Sequence, residues 1–187
     1  MNRQPLVYAA DETVLASKAI QDATSACGTR NFCAQECLTA AGMSIFPFAT
    51  SHDAAASFGF RLESNDDAAG FMTDTGIVTP QAHAHLTDVR LLAIESNHDP
   101  KMLREGPYPY VVKQRIASNL GHLSNEQAAE ELASLLSDRL QAVAAMHISE
   151  NNNEYDRALD SFRAIVRHEN HAAHVLCGYQ GRLTTLC

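Results

Sequence analysis

The segment RLLAIESNHDPKMLREGPYPYVVKQRI, residues 90–116, decides the fold class. Its opening RLLAIE is apolar and rich in branched side chains, which predicts a buried strand at 90–95. Pro100 then favours a short helix to Arg104, because proline is well tolerated at the first position of a helix. After a Gly-Pro break, residues 110–119 have apolar residues at helical spacing. A buried strand followed directly by helices is typical of an α/β protein.

The alternation of strands and helices extends in both directions from this segment. Short apolar or alternating runs predict further strands at residues 6–9, 43–49, 57–63, 69–73, 142–146 and 174–179. Capping signals and helical periodicity predict helices at residues 12–23, 79–86, 124–139 and 153–169. Residues 24–42 are expected to be a loop. We find no linker, and residues 1–187 are therefore interpreted as one partial domain.

Composition limits the classes of function. Apolar residues make up 45% of the chain and charged residues 19%, which is typical of a folded globular domain. The net charge of −8 argues against nucleic-acid binding by the protein's overall field. No apolar run reaches the ~18 residues of a membrane span, and the N-terminus lacks a secretory pattern, so we expect a cytoplasmic protein without membrane contact.

The five cysteines do not form a recognisable framework. They lack C-x-x-C spacing, which argues against a disulfide scaffold or a zinc ribbon. The cluster of Cys27, Cys33 and Cys37 is compatible with a metal site, but reduced thiols near a loop are the simpler interpretation.

Histidines and acidic residues follow four of the predicted strands. These strand ends read SHD at 51–53, TDTG at 73–76, ESNHD at 95–99 and HIS at 147–149. Ligands collect outside the carboxyl ends of strands in open α/β sheets. Imidazoles and carboxylates suit zinc, manganese or iron, and a carboxylate between two histidines can bridge two metals. Each residue alone is better explained as a cap, a core residue or a turn. The four strand ends together make a metal site and a structural role equally good interpretations.

Five strings in a fixed order then point to a family. They are SHDAAASFGFRLE, FMTDTG, ESNHDPKMLREGPYPYVVKQRI, GHLSNEQAAEEL and HISENNN. Together they resemble the YycJ/WalJ group of metallo-β-lactamase-fold proteins, from about residue 6 to beyond residue 153. The resemblance implies an αββα sandwich and two divalent metal ions, zinc or manganese. It also implies a hydrolase of the phosphodiesterase or DNA exonuclease type, in which a metal-bound hydroxide attacks phosphorus.

The resemblance assigns roles to individual residues. His52, Asp74 and His147 match the family's later metal motifs, with Asp74 as the bridging carboxylate. His98, Asp99 and His122 are candidate catalytic residues that would support a ligand, donate a proton or contact the substrate. A lactam or thiol substrate is disfavoured, because the NHD and GPYPY strings point to the YycJ/WalJ group.

One expected motif is missing. The His-x-His-x-Asp-His signature of the fold, which precedes these strings, does not occur in this chain. The string HAHLTD at 83–88 places its acid one position late and lacks the last histidine, so His83 and His85 are interpreted as structural. His168, His171 and His174 are interpreted as helix-end and surface residues.

The resemblance therefore implies a C-terminal portion of the fold with its N-terminal part missing. Two alternatives stay open at this point. The chain is a truncated, non-catalytic remnant, or a partner chain supplies the missing half and its metal motif. Either alternative predicts exposed apolar surface on one side of the sheet.

The segment 97–119 is basic in an acidic chain. Lys101, Arg104, Lys113 and Arg115 outnumber the two acidic residues Asp99 and Glu105 there. Basic side chains position phosphates and tyrosines stack on bases, so the four cations, with Tyr108 and Tyr110, are candidate DNA contacts. A solvated helix whose tyrosines pack inward is the alternative.

Overall fold

The computed structural model describes residues 6–186, which form nine strands and seven helices. In chain order these are β1 Leu6–Ala9, α1 Asp11–Ala16, α2 Lys18–Ser25, β2 Gly28–Asn31, β3 Leu38–Ala40, β4 Met43–Ala49, β5 Phe58–Ser64, β6 Asp67–Met72, α3 Pro80–Leu86, β7 Leu91–Glu95, α4 Pro100–Glu105, α5 Tyr110–Ile116, α6 Asn125–Leu135, β8 Ala142–Met146, α7 Tyr155–His168 and β9 His174–Cys177.

Strands β3 to β9 form one sheet in which every strand pairs with its neighbour in the sequence. The pairs from β3 to β6 are antiparallel, and those from β6 to β9 are parallel. Tight turns join β3 to β4 and β5 to β6, with positive φ angles at Ala41, Gly42 and Asn65, whereas residues 50–57 join β4 to β5. Helices make the crossovers that parallel strands require. The predicted α/β class is confirmed.

One face of the sheet carries the main core. Met72, Leu92, Ile94 and Val143 lie on this face and are completely buried. Helices α3, α6 and α7 cover it with apolar side chains, because each helix carries an apolar stripe that must be buried. The residues that these helices bury most completely are Ala82, Leu86, Ala128, Leu132, Ala158 and Phe162.

The opposite face is apolar but only half covered. Ile45, Phe60, Leu62 and Phe71 line an open groove of about 390 Å³ there, together with residues from the β1–β2 region. Phe32 contributes by packing its ring edge-on against Phe58, with ring centroids 5.1 Å apart. The groove matches the apolar surface that the sequence predicts on one side of the sheet.

The predicted elements differ most from the structure in three places. The helix predicted at 12–23 divides at Ser17, which is extended and caps α2 by accepting a hydrogen bond from Ile20 N. The loop predicted at 24–42 contains β2 and β3. Helix α6 ends at Leu135, before the predicted residue 139, because Leu136 is extended. None of the helices within residues 6–186 is long and apolar enough to cross a bilayer.

Candidate metal centre

The carboxyl ends of four strands converge on one site. Asp74 follows β6, Glu95 is the last residue of β7, His147 follows β8, and His52 lies just beyond β4. Asp74 and His147 have left-handed backbone angles, with φ of 56° and 54°. Aspartate and histidine tolerate this region better than most residues, and such outliers cluster at functional sites. The chain thus turns sharply as it leaves β6 and β8.

Glu95 holds His122 and His147 in place from its buried position at the end of β7. Its side chain is completely buried, and its Oε1 atom accepts hydrogen bonds from His147 Nδ1 at 2.6 Å and His122 Nδ1 at 2.8 Å. Backbone N–H groups of Asp74, Thr75 and Leu123 also donate to this carboxylate, over 3.1 to 3.3 Å. A carboxylate has about four lone-pair directions, so these five donors use its whole capacity. Glu95 therefore orients other residues and is poorly placed to be a metal ligand itself.

The partners of the three histidines fix their tautomers. An ionised carboxylate and a carbonyl oxygen only accept, so His122 and His147 donate to Glu95 from Nδ1. His52 donates from Nδ1 to Gly121 O at 3.0 Å for the same reason. In each neutral ring Nε2 then keeps its lone pair. Metal-binding histidines commonly have one nitrogen held by an acceptor in this way.

The free nitrogens lie around Asp74. Its Oδ1 atom is 3.7 Å from His52 Nε2 and 3.7 Å from His147 Nε2. One ligand atom from each of Asp74, Glu95, His122 and His147 lies within 4.8 Å of the others. The ring of His122 lies beside both other imidazoles, with centroid distances of 4.9 Å and 5.1 Å. Three imidazoles and one carboxylate form a donor set that suits zinc, manganese or iron.

Hydrogen bonds to Glu95 set the protonation of the site. Burial alone would raise the pKa of Glu95, but the imidazole hydrogen bonds outweigh it and lower the pKa to about 2. The same carboxylate raises the pKa of His147 above its ordinary value. The hydrogen bond from His147 to Glu95 raises this pKa by more than burial lowers it. Glu95 is thus anionic throughout the physiological range.

Two glycines allow the surrounding loops to approach closely. A Cβ atom at Gly76 would lie 2.2 Å from Ser118 O, and one at Gly121 would lie 2.2 Å from Arg115 O. Gly76 N also donates to Ser51 O at 2.9 Å, which ties the TDTG loop to the segment before His52. Only glycine fits where backbones pack at this distance. The TDTG and GHLSN strings therefore position ligand-bearing loops.

The structure brings together four of the six residues that the sequence singled out, namely His52, Asp74, His122 and His147. The candidate catalytic residue Asp99 lies elsewhere. Its Oδ1 atom accepts from Met102 N at 2.8 Å as the cap of α4, and its Oδ2 atom pairs with Arg157. This carboxylate is engaged in holding α4 and α7, because the Asp-Pro pair begins a helix at this point.

His98 also lies outside the group. It is 3% exposed, and burial lowers its pKa to about 4, so the ring is neutral at physiological pH. Its Nδ1 atom makes no hydrogen bond to the described residues. His98 lines a separate cavity between α4 and α5.

Four of the remaining histidines make local contacts, and the described cysteines form no disulfide. His83 bonds Glu131 and His85 stacks on Phe48, as expected for structural residues. His168 bonds Glu169 at the end of α7, and His171 bonds Ser137 O. Cys27, Cys33, Cys37 and Cys177 are free thiols, and Cys187 lies outside the described residues.

Sequence reasoning missed Glu95, although a signal was present. An acidic residue at the end of an otherwise apolar buried strand needs partners, because an unpaired buried charge is strongly unfavourable. It also missed Asn153, whose Nδ2 atom donates to Ser96 O at 2.9 Å and Asn97 O at 3.0 Å. Both residues brace the turn that follows β7.

Only some of the candidate DNA contacts in the basic segment 97–119 are free of other protein contacts. Arg115 forms a bidentate pair with Asp53, which lowers the pKa of that carboxyl to about 2. Lys113 Nζ donates to Arg104 O at 2.8 Å, while the Arg104 side chain is 70% exposed. Tyr108 bonds Asn151, whereas Tyr110 is 74% exposed and does not pack inward.

Comparison with known proteins identifies similar chains. The chain is 37% identical over 106 residues to the exodeoxyribonuclease YycJ of Bacillus anthracis, and 39% identical over 109 residues to the exodeoxyribonuclease WalJ of Streptococcus pneumoniae serotype 2. These matches cover 57% and 58% of the chain. The matched region spans 40% of the length of each of these relatives. No family model matches.

Solved structures show the fold. The metallo-β-lactamase fold protein YhfI from Bacillus subtilis superposes with a TM-score of 0.66 at 16% identity, over 95% of this chain and 63% of YhfI. Zn²⁺-bound PqqB from Methylobacterium extorquens superposes with a TM-score of 0.62 at 15% identity, over 97% of this chain and 62% of PqqB. The chain therefore has a metallo-β-lactamase fold, and its resemblance to the YycJ/WalJ group is confirmed.

Proposed function

We propose that the chain contributes the metal-binding edge of a hydrolase that cleaves phosphodiester bonds in DNA. His52, Asp74 and His147 would hold divalent metal, either zinc or manganese. When bound, such a metal supplies positive charge that stabilises the anionic oxygens of a phosphoryl-transfer transition state. The similarity to the two exodeoxyribonucleases supports DNA as the substrate class.

One observation carries this proposal. His52 Nε2 and His147 Nε2 lie at equal distances of 3.7 Å from Asp74 Oδ1, and both rings are held from their Nδ1 atoms. An acceptor on Nδ1 leaves Nε2 as the ligand atom and increases its basicity. A carboxylate between two such imidazoles would hold divalent metal together with them.

His122 takes a different role in the proposal. Its Nδ1 atom donates to Glu95, and its ring lies between those of His52 and His147. Histidine is the side chain that most often transfers protons in catalysis. We assign to His122 the transfer of a proton to the leaving oxygen of the phosphodiester.

A second candidate function is that of a subunit whose partner supplies the His-x-His-x-Asp-His motif. The half-covered apolar groove formed by Ile45, Phe60, Leu62 and Phe71 favours it, because apolar sheet faces are normally buried. Native mass spectrometry of the purified chain, alone and in complexes isolated from its source cell, distinguishes the two candidates. A stable complex that restores a second metal ion supports the partner.

The proposed function is tested with the purified chain loaded with Zn²⁺ or Mn²⁺. We expect metal-dependent release of nucleotides from DNA and cleavage of bis(p-nitrophenyl) phosphate. The variant Asp74→Asn removes the negative charge of the proposed carboxylate ligand and should lose both metal and activity. Metal bound at Asp74 without cleavage of either substrate, in the chain and in any isolated complex, would contradict the proposal.

A further inference from the structure

We propose that the cavity between α4 and α5 binds a nucleobase of a single-stranded polynucleotide. This inference rests on the proposed function for the class of substrate, and it adds a second contact beside the metal-binding group. The cavity has a volume of about 370 Å³ and is distinct from the groove that contains His122 and His147.

The walls of the cavity suit a flat ring. Pro100, Leu103 and Ala117 provide apolar surface on the sides, and His98 closes the cavity where α4 begins. Ligand sites commonly combine mostly apolar walls with a few polar atoms that fix orientation. A planar heterocycle can bury its faces against such walls.

Polar atoms within the cavity call for a ligand with hydrogen-bonding groups. His98 is 3% exposed, and its Nδ1 atom has no hydrogen-bond partner among the described residues. The amide of Gln114 also lines the cavity. The Nδ1 atom is itself buried, so the amide of Gln114 is a hydrogen-bonding group that a ligand in the cavity can reach. The edge of a nucleobase carries both donors and acceptors and can pair with this amide.

The rim of the cavity suits the rest of a nucleotide. Tyr110 is 74% exposed, and its ring is free to stack on a base. Arg104 and Lys113 line the opening, and the bond from Lys113 to Arg104 O holds the two helices together there. The described lining residues include no acid, although the chain as a whole carries a net charge of −8. This local excess of positive charge favours phosphate.

Helix α5 separates the cavity from the candidate metal centre. Tyr110, Lys113 and Gln114 face the cavity, whereas Val112 and Ile116 face the groove with His122 and His147. A helix with its side chains is about 10–12 Å wide, so a strand that crosses α5 reaches both sites. A phosphodiester at Asp74 and a nearby base in the cavity are therefore compatible with one bound strand.

The test measures binding without cleavage. A fluorescein-labelled oligothymidylate is titrated with the full chain in EDTA, and anisotropy gives Kd. An oligonucleotide of the same length with abasic sites serves as the probe for phosphate contacts alone. We expect the intact oligonucleotide to bind more tightly than the abasic one.

Two variants locate the base. Ala117→Phe fills the cavity and Tyr110→Leu removes the stacking ring. Val111→Phe introduces the same phenyl ring at a residue that is 76% exposed and lines neither cavity. The first two should weaken binding of the intact oligonucleotide at least about fivefold, which corresponds to the lower end of the loss per stacked base. They should leave binding of the abasic oligonucleotide unchanged, and Val111→Phe should leave both unchanged.

Equal affinity of the intact and abasic oligonucleotides, or no detectable binding of either, would overturn the inference. If Ala117→Phe fails to fold, the test rests on Tyr110→Leu, whose substituted residue is exposed. Unchanged binding of the intact oligonucleotide by Tyr110→Leu would then overturn the inference. Cleavage by the metal-loaded chain is measured separately. Base-dependent binding without cleavage would refute the proposed function and leave this inference standing. Cleavage without base-dependent binding would refute this inference and leave the proposed function standing.

Discussion

Glu95 lies beneath His147, with its Oε1 atom 2.6 Å from His147 Nδ1, and this one contact links the buried end of β7 to the exposed edge of the candidate metal centre. The same oxygen accepts from His122. A single carboxylate therefore sets the tautomers of two of the three imidazoles. Its removal should affect metal binding although it is not itself a ligand.

Glu95→Gln tests this relationship. The amide oxygen can still accept from one imidazole, but the NH₂ group then faces backbone N–H donors and leaves some unpaired. We expect metal affinity to fall roughly 10–100-fold, as for other partners of ligand histidines, and stability to fall by about 1–3 kcal/mol. Chelator competition and urea unfolding measure the two effects. The exposed Glu130→Gln is the matched control, and metal affinity equal in both variants would contradict the anchoring role.

The raised pKa of His147 predicts how metal binding depends on pH. A proton on Nε2 competes with metal, so affinity should increase as pH rises through the raised pKa of His147. In Glu95→Gln this pKa falls toward its ordinary value, and the midpoint of the pH dependence should move to lower pH, even though affinity at high pH is weaker. NMR titration of the imidazole in the metal-free chain checks the shift. A midpoint that is the same in Glu95→Gln would show that Glu95 does not raise the pKa of His147.

Glu95 and His147 should make contributions to the stability of the metal-free chain that depend on pH in opposite directions. Glu95 has a lowered pKa, so its contribution is present above its ordinary value near 4.5 and is lost as pH falls toward about 2. His147 has a raised pKa, so its contribution is present below its unfolded-state pKa and is lost as pH rises through the folded-state pKa. Urea unfolding across pH should therefore show a loss at the acid end that is smaller in Glu95→Gln.

The strand ends were predictable from the sequence because parallel strands place their carboxyl ends at one edge. That rule, with the family resemblance, selected His52, Asp74 and His147. It did not identify Glu95, whose partners lie 27 and 52 residues away along the chain. The break at Ser17 was also missed, because residues on both sides favour helix and only the extended backbone of Ser17 separates α1 from α2. Asp99 was assigned to catalysis by its position in the NHD string, yet it caps α4.

Gly76→Ala tests the close packing of the TDTG loop. A Cβ atom there meets backbone atoms of Ser118 and Asn119 at 2.2–2.5 Å, and backbone cannot move aside as a flexible side chain can. We expect a loss of stability of about 1–3 kcal/mol, together with weaker metal binding because Asp74 is displaced. Gly181→Ala is the matched control, since a Cβ atom there has no neighbour within 4 Å. Equal unfolding midpoints of the two variants would mean that the loop relaxes without strain.

Asn153→Ala tests the brace behind the site. Asn153 is 5% exposed, and its side chain joins Ser96 O and Asn97 O, at the end of β7, to Asn125 at the start of α6. Truncation removes the Asn153 donor from Ser96 O, at a cost of about 1–3 kcal/mol for an unsatisfied group. Asn97 O keeps its hydrogen bond from Ser149 N. Because Asn97 also bonds His147 O, the loss should extend to metal binding. Asn151→Ala is the matched control, since Asn151 is exposed and its side chain donates a hydrogen bond to the Tyr108 hydroxyl at the surface. Destabilisation of Asn153→Ala with metal affinity unchanged would show that Glu95 alone positions His147.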